Sequence, residues 1–139
     1  MRYLTCIQLV KNMGAYMNHP ISNGLYLVSS DYDEACFDAG ISEAFSNAWH
    51  ILALSDVIMR PIRNIYPNVN GEKDGARIYL NKIFYPSNPL ESASPLTILW
   101  YSIGKMPEPN VYYNVNNFVA VTDVTERGLN TNRQQSTKR

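Results

Sequence analysis

No apolar run in the chain reaches the roughly 18 residues that a spanning helix needs, so no membrane segment is expected. A net charge is missing too. Twelve Lys and Arg balance twelve Asp and Glu. Without a global field of one sign, direct contact with nucleic acid or an anionic membrane is not expected. Cysteine is scarce: Cys6 and Cys36 sit among apolar residues with no framework spacing. That argues for core thiols or a reducing compartment, and an intracellular location, cytoplasmic or nuclear, is expected. His19 and His50 are the only histidines, and with the two thiols they show no ligand spacing. No metal site is expected, and no cofactor. The glycines are isolated, which excludes a phosphate-cradling loop. Residues 4–10 are apolar but too short and too interrupted for a secretory leader.

What is present describes a globular domain. The 139 residues amount to one domain, and a hydrophobic fraction of 45% is enough for a sizeable core. Tyr3, Ile7, Val10, Gly14 and Met17 recur at three- and four-residue steps, which predicts a helix over 1–18 closed by Pro20. That helix opens without a capping residue, so a start truncated from a longer parent is one expectation and a frayed first turn the other. A loop follows over 19–30, with 25–28 as a short extended piece. Asp31 would cap a helix over 32–39 that ends at Gly40. The strongest helix runs over 42–59, with Ser42 as N-cap. Phe45, Ala48, Trp49, Leu52 and Met59 form its apolar face, and Ser46, Asn47 and His50 its polar one.

Strands are predicted over 62–66, over 76–84 from the alternation of Ala76, Ile78 and Leu80, over 96–101, and over 118–121. The 96–101 segment is nearly all apolar and reads as a central strand buried on both faces. Helices first and about four strands afterwards make an α+β fold, with helices packed on one face of a small mixed sheet. Residues 1–123 form that domain and 124–139 a disordered polar tail.

A cysteine hydrolase needs a thiol, a base and an orienting group. Cys36 with His50 is one such reading. The plainer one makes Cys36 a small core residue and His50 a member of a solvated stripe, and it is preferred.

The run Trp49-His50-Ile51-Leu52-Ala53-Leu54, ending in Arg60-Pro61-Ile62, resembles the helix-to-strand segment of OTU-type (ovarian tumour) cysteine proteases. Ile65-Tyr66-Pro67-Asn68, Ile83-Phe84-Tyr85-Pro86, Leu96-Thr97-Ile98-Leu99-Trp100 and the closing Asn116-Asn117-Phe118-Val119-Ala120-Val121 are similar to the divergent OTU-like domains of animal vertnin-related and transposon-linked proteins. The likeness spans roughly residues 2–122 and implies the OTU-like fold. By this match the family's catalytic His falls on Asn117, and an amide cannot act as base toward a thiol near neutral pH. The family's nucleophile lies upstream of the helix matched here to residues 4–16, and its glycines after the Trp are replaced by His50 and Ile51. The resemblance therefore implies a non-catalytic or truncated OTU-like domain, acting as an interaction or regulatory module with ubiquitin or another protein. Two alternatives stay open. One is an active OTU-type thiol hydrolase, a deubiquitinase whose nucleophile segment is absent from this sequence. The other is a vertnin-like nuclear regulatory protein. For a binding face, the exposed aromatics Tyr112, Tyr113 and Phe118 near the last strands are the candidates.

Overall fold

The computed structural model describes residues 1–29, 31–41, 46–103, 108–113, 115 and 117–121. Six helices, α1 (Arg2–Lys11), α2 (Met13–Met17), α3 (Ser22–Val28), α4 (Tyr32–Ala39), α5 (Ala48–Ile58) and α6 (Gly75–Leu80), accompany strands β1 (Ile62–Ile65), β2 (Ile83–Phe84), β3 (Leu96–Tyr101) and β4 (Asn117–Val121). The fold is α+β with one four-stranded mixed sheet, as the sequence predicts, and the strand order is β2-β1-β3-β4.

The core is built around α5. Its Asn47 N-cap side chain accepts from the Trp49 and His50 backbone N–H groups, and the His50 ring accepts in return from the Asn47 N–H. This reciprocal box satisfies donors that a helix start leaves orphaned. Trp49, Ile51, Leu52 and Ala53 are fully buried, so nearly every face of the helix is covered. α1 and α4 pack beside it, and β1 and β2 lie against it. The predicted start of α5 moves: the described cap is Asn47, while Ser42 and Phe45 lie outside the described residues. The polar tail at 124–139 lies outside them too.

In the sheet, β1 and β3 run parallel with Ile62 opposite Leu96 and Ile65 opposite Leu99. β2 and β4 flank them antiparallel. Ile62 and Asn64 point to the helices, Arg63 and Ile65 to the other face. The buried Asn64 is satisfied: its amide donates to the Lys82 and Ile62 carbonyls, and its oxygen accepts from the Trp100 indole at 3.2 Å.

Four expectations need correction. The 25–28 piece is helical, because Leu25 is buried three residues after Ser22 and Val28 packs on the core three residues later. The alternation at 76–80 is also helical. Asp74 caps α6 by accepting from the Ala76 N–H, and the buried Leu80 lies one turn from Ala76 while Ile78 faces out. Only 83–84 of that segment is a strand. β3 is buried on one face alone: Ile98 and Trp100 face inward, whereas Leu99 is 38% exposed. Finally, the long first helix breaks at Asn12 into α1 and α2.

α3 meets α6 through Gly24. A Cβ there would collide with the Tyr79 ring close to the root of that side chain. Gly24→Ala should destabilise the protein by about 1–3 kcal/mol, as overpacking does. Urea unfolding measures this, and an unchanged midpoint would show that α6 simply yields.

Candidate functional site

Cys36 and His50 come from adjacent helices, α4 and α5, yet they do not form a thiol–imidazole pair. His50 is 6% exposed, not part of a solvated stripe. Its Nδ1 accepts from the Asn47 N–H at 2.8 Å, so that nitrogen carries no proton. Its Nε2–H then donates to the Ala35 carbonyl at 2.7 Å. Both ring nitrogens are thus engaged by backbone. Burial is the main cause that pulls the His50 pKa below its usual value; Arg2 adds to this, while the Ala35 bond and Asp38 oppose it. Cys36 is shifted the other way from an activated thiol. Burial pushes it up, and Asp33 adds to the push. The second histidine, His19, accepts from the Ile21 N–H through Nδ1.

Asn117 opens β4, opposite Tyr101. Its neighbour Phe118 pairs with Trp100, with ring centroids 5.2 Å apart, on the helix-covered face. Alternation along the strand puts Asn117 on the outer face with Tyr101. Among the described residues no group of three or more potential metal ligands occurs, and no helix is long and apolar enough to cross a membrane.

A concavity of about 800 Å³ opens near the carboxyl ends of β1 and β3. Tyr66 and Trp100 contribute to its lining, the start of α5 supplies Asn47, and the loop before α6 supplies Asn70 and Asp74. Tyr112 forms another part of the wall and is 64% exposed. A hydrogen-bonded knot holds this side. Asn70 donates to the Tyr113 carbonyl at 2.9 Å and accepts from the Tyr113 N–H at 2.7 Å. Its amide also donates to the Asp74 carboxylate at 3.1 Å, and the Tyr112 hydroxyl approaches the same carboxylate. Burial, with Asp74 nearby, pushes the Tyr112 hydroxyl up, so it stays protonated as a donor. A volume of this size with an aromatic lining and a few fixed polar groups suits an inserted side chain or short peptide segment.

Of the three aromatics read from the sequence, Tyr112 reaches this cavity as an exposed side chain. Tyr113 is tied by its backbone, and Phe118 packs under the sheet against Trp100. The sequence reading missed Asn70, Asp74, Tyr66 and Trp100. Asp74-Gly75 before Ala76 was the available signal for a cap, hidden inside an apparently featureless polar loop.

A family model described as "Vertnin, OTU domain" matches residues 27–101, more than half of the chain. The match takes in Cys36 and His50 and stops before Tyr112 and Asn117. Vertnin of Homo sapiens is 38% identical over 72 residues, which cover 48% of this chain and 10% of that protein. Vertnin of Bos taurus is 36% identical over the same length. Vertnin of Danio rerio is 29% identical over 101 residues, 71% of this chain and 13% of the relative. The aligned part is about a tenth of the length of these curated relatives. No solved structure matches.

Proposed function

From the chain's membership of the vertnin OTU-domain family, we propose that it is a non-catalytic OTU-type domain that works by binding, with ubiquitin or another protein as its partner. One observation carries this: the imidazole of the candidate pair, His50, spends both nitrogens on backbone partners. A base must be free to take a proton from the thiol, and a raised Cys36 leaves little thiolate at neutral pH. The sequence resemblance that puts Asn117 where OTU proteases carry a histidine supports the same reading, since an amide cannot take the proton from a thiol.

The binding face is the concavity edged by Tyr112. An exposed tyrosine held by a hydrogen bond costs little entropy to immobilise and makes a good anchor. The partner would insert an apolar or amide-bearing segment over Tyr66 and Trp100, with Asn70 and Asp74 setting its orientation.

The test has two arms. The purified chain is incubated with a ubiquitin–fluorophore conjugate and with linked ubiquitin chains, and no release is expected. Turnover that disappears in Cys36→Ala would refute the proposal. In the second arm, binding of ubiquitin is followed by heteronuclear NMR. Tyr112→Ala should weaken any association roughly 10-fold, as loss of an interface anchor does. Shifts confined to surfaces away from Tyr112 would move the binding face elsewhere.

A further inference from the structure

Two hydrogen bonds fix how α1 lies on α4. Near the start of α1, the Arg2 guanidinium donates to the Asp38 carbonyl at 3.0 Å. Near its end, the Leu9 carbonyl accepts from the Tyr32 hydroxyl at 2.7 Å. The start of α1 therefore meets the end of α4 and the reverse, so the helices run antiparallel. Interpolating between these ties brings Cys6 opposite Glu34 and Ala35, with Cys36 next along α4.

Side-chain direction agrees. Thr5 and Leu9 are buried on α1, and Cys6 sits between them with Arg2 one turn behind. On α4, Tyr32, Ala35 and Ala39 are buried, and Cys36 lies on the same stripe. Both thiols are free, half-buried and packed on the same core cluster. Cα atoms of the two helices approach within 8 Å. The Cys6 sulfur is near enough to add to the upward push on the Cys36 thiol, after burial and Asp33 and against a hydrogen bond with Tyr32.

From this register we infer that Cys6 and Cys36 form a cross-helix disulfide site, which a small-molecule disulfide oxidises and so staples α1 to α4. The chemistry is two successive exchanges. One cysteine thiolate attacks a sulfur of oxidised glutathione, forming a mixed disulfide and releasing one glutathione thiolate. The second cysteine thiolate attacks the protein-side sulfur, closing the Cys6–Cys36 bond and releasing the second. The protein loses two electrons and two protons, and the glutathione disulfide gains them. Facing positions on packed helices can meet the Cα separation that a disulfide requires.

The full chain is treated with oxidised glutathione, alkylated and digested with trypsin without reduction. Cleavage after Arg2, Lys11 and Arg63, the Arg60-Pro61 bond being resistant, separates a peptide over 3–11 carrying Cys6 from one over 12–63 carrying Cys36. The expected result is these two peptides joined, from a monomer lighter by two hydrogens. Thermal unfolding of that species should shift upward by about 5–10 °C and return on reduction. Cys6→Ser and Cys36→Ser should each stop at a glutathione adduct on the remaining thiol. Unreacted thiols, adducts on both cysteines without a link, or a disulfide-joined dimer would each overturn the inference.

Discussion

Trp49→Ala is expected to cost about 3–5 kcal/mol, enough to unfold much of the population of a marginally stable domain. The side chain is 0% exposed at the first turn of α5. Its ring meets Tyr26 from α3 and Tyr32 from α4 edge-on, each with centroids 5.1 Å apart. Removing it opens a cavity where three helices meet, and Tyr32, held by the Leu9 carbonyl, cannot swing in to fill it. The edge-to-face contacts add about 0.5–1.5 kcal/mol each beyond area. Chemical denaturation of the variant checks this. A loss below about 1 kcal/mol would mean that the α3–α4–α5 junction is loose rather than packed.

His50→Ala is the second large effect, at about 2–4 kcal/mol. It leaves the Ala35 carbonyl and the Asn47 N–H without their partners and adds a small void. His50→Gln should recover part of this, because Gln at the third helical position can close a capping box. The same residue gives a pH dependence with a defined sign. The folded pKa lies below the unfolded value of 6.5. Between the two, the unfolded chain binds more protons, so stability rises with pH across that window. Stability should therefore fall as pH drops below about 6.5. Burial lowers His19 as well, so His50→Gln should flatten the curve without abolishing its slope. An identical pH profile in wild type and His50→Gln would rule out the buried neutral imidazole.

The elements legible from sequence were those with a long or punctuated pattern. α5 carries three consecutive turns of largely apolar residues and stops just before Arg60-Pro61. β1 is bounded by Pro61 and Pro67, and α4 by Asp31 and Gly40. α3 and α6 were misread because seven and six residues are too few to separate a period of two from one near four. Ala76, Ile78 and Leu80 alternate by accident; the helix uses Ala76 and Leu80 and leaves Ile78 in water. The candidate site was less legible than the fold. His50 looked solvated because it shares a helix face with the polar Ser46 and Asn47, but what buries it, the α4 backbone at Ala35, is 15 residues away. Asn70 binds Tyr113 across 43 residues, a distance no local pattern reports. The Asn117 position came through family likeness alone, since nothing in its spacing marks it.

The strand order carries a kinetic consequence. Among the described strands no pair is joined by a tight turn: β1 reaches β2 through α6, reaches β3 only after β2, and β3 is separated from β4 by residues 102–116. Such a sheet has no hairpin from which to nucleate, and each pairing must first close a long loop. Refolding should accordingly build the helical layer first and zip the sheet last. Pulsed hydrogen exchange during refolding would then protect α5 amides earlier than those shared by β3 and β4, and simultaneous protection would argue for a single concerted step.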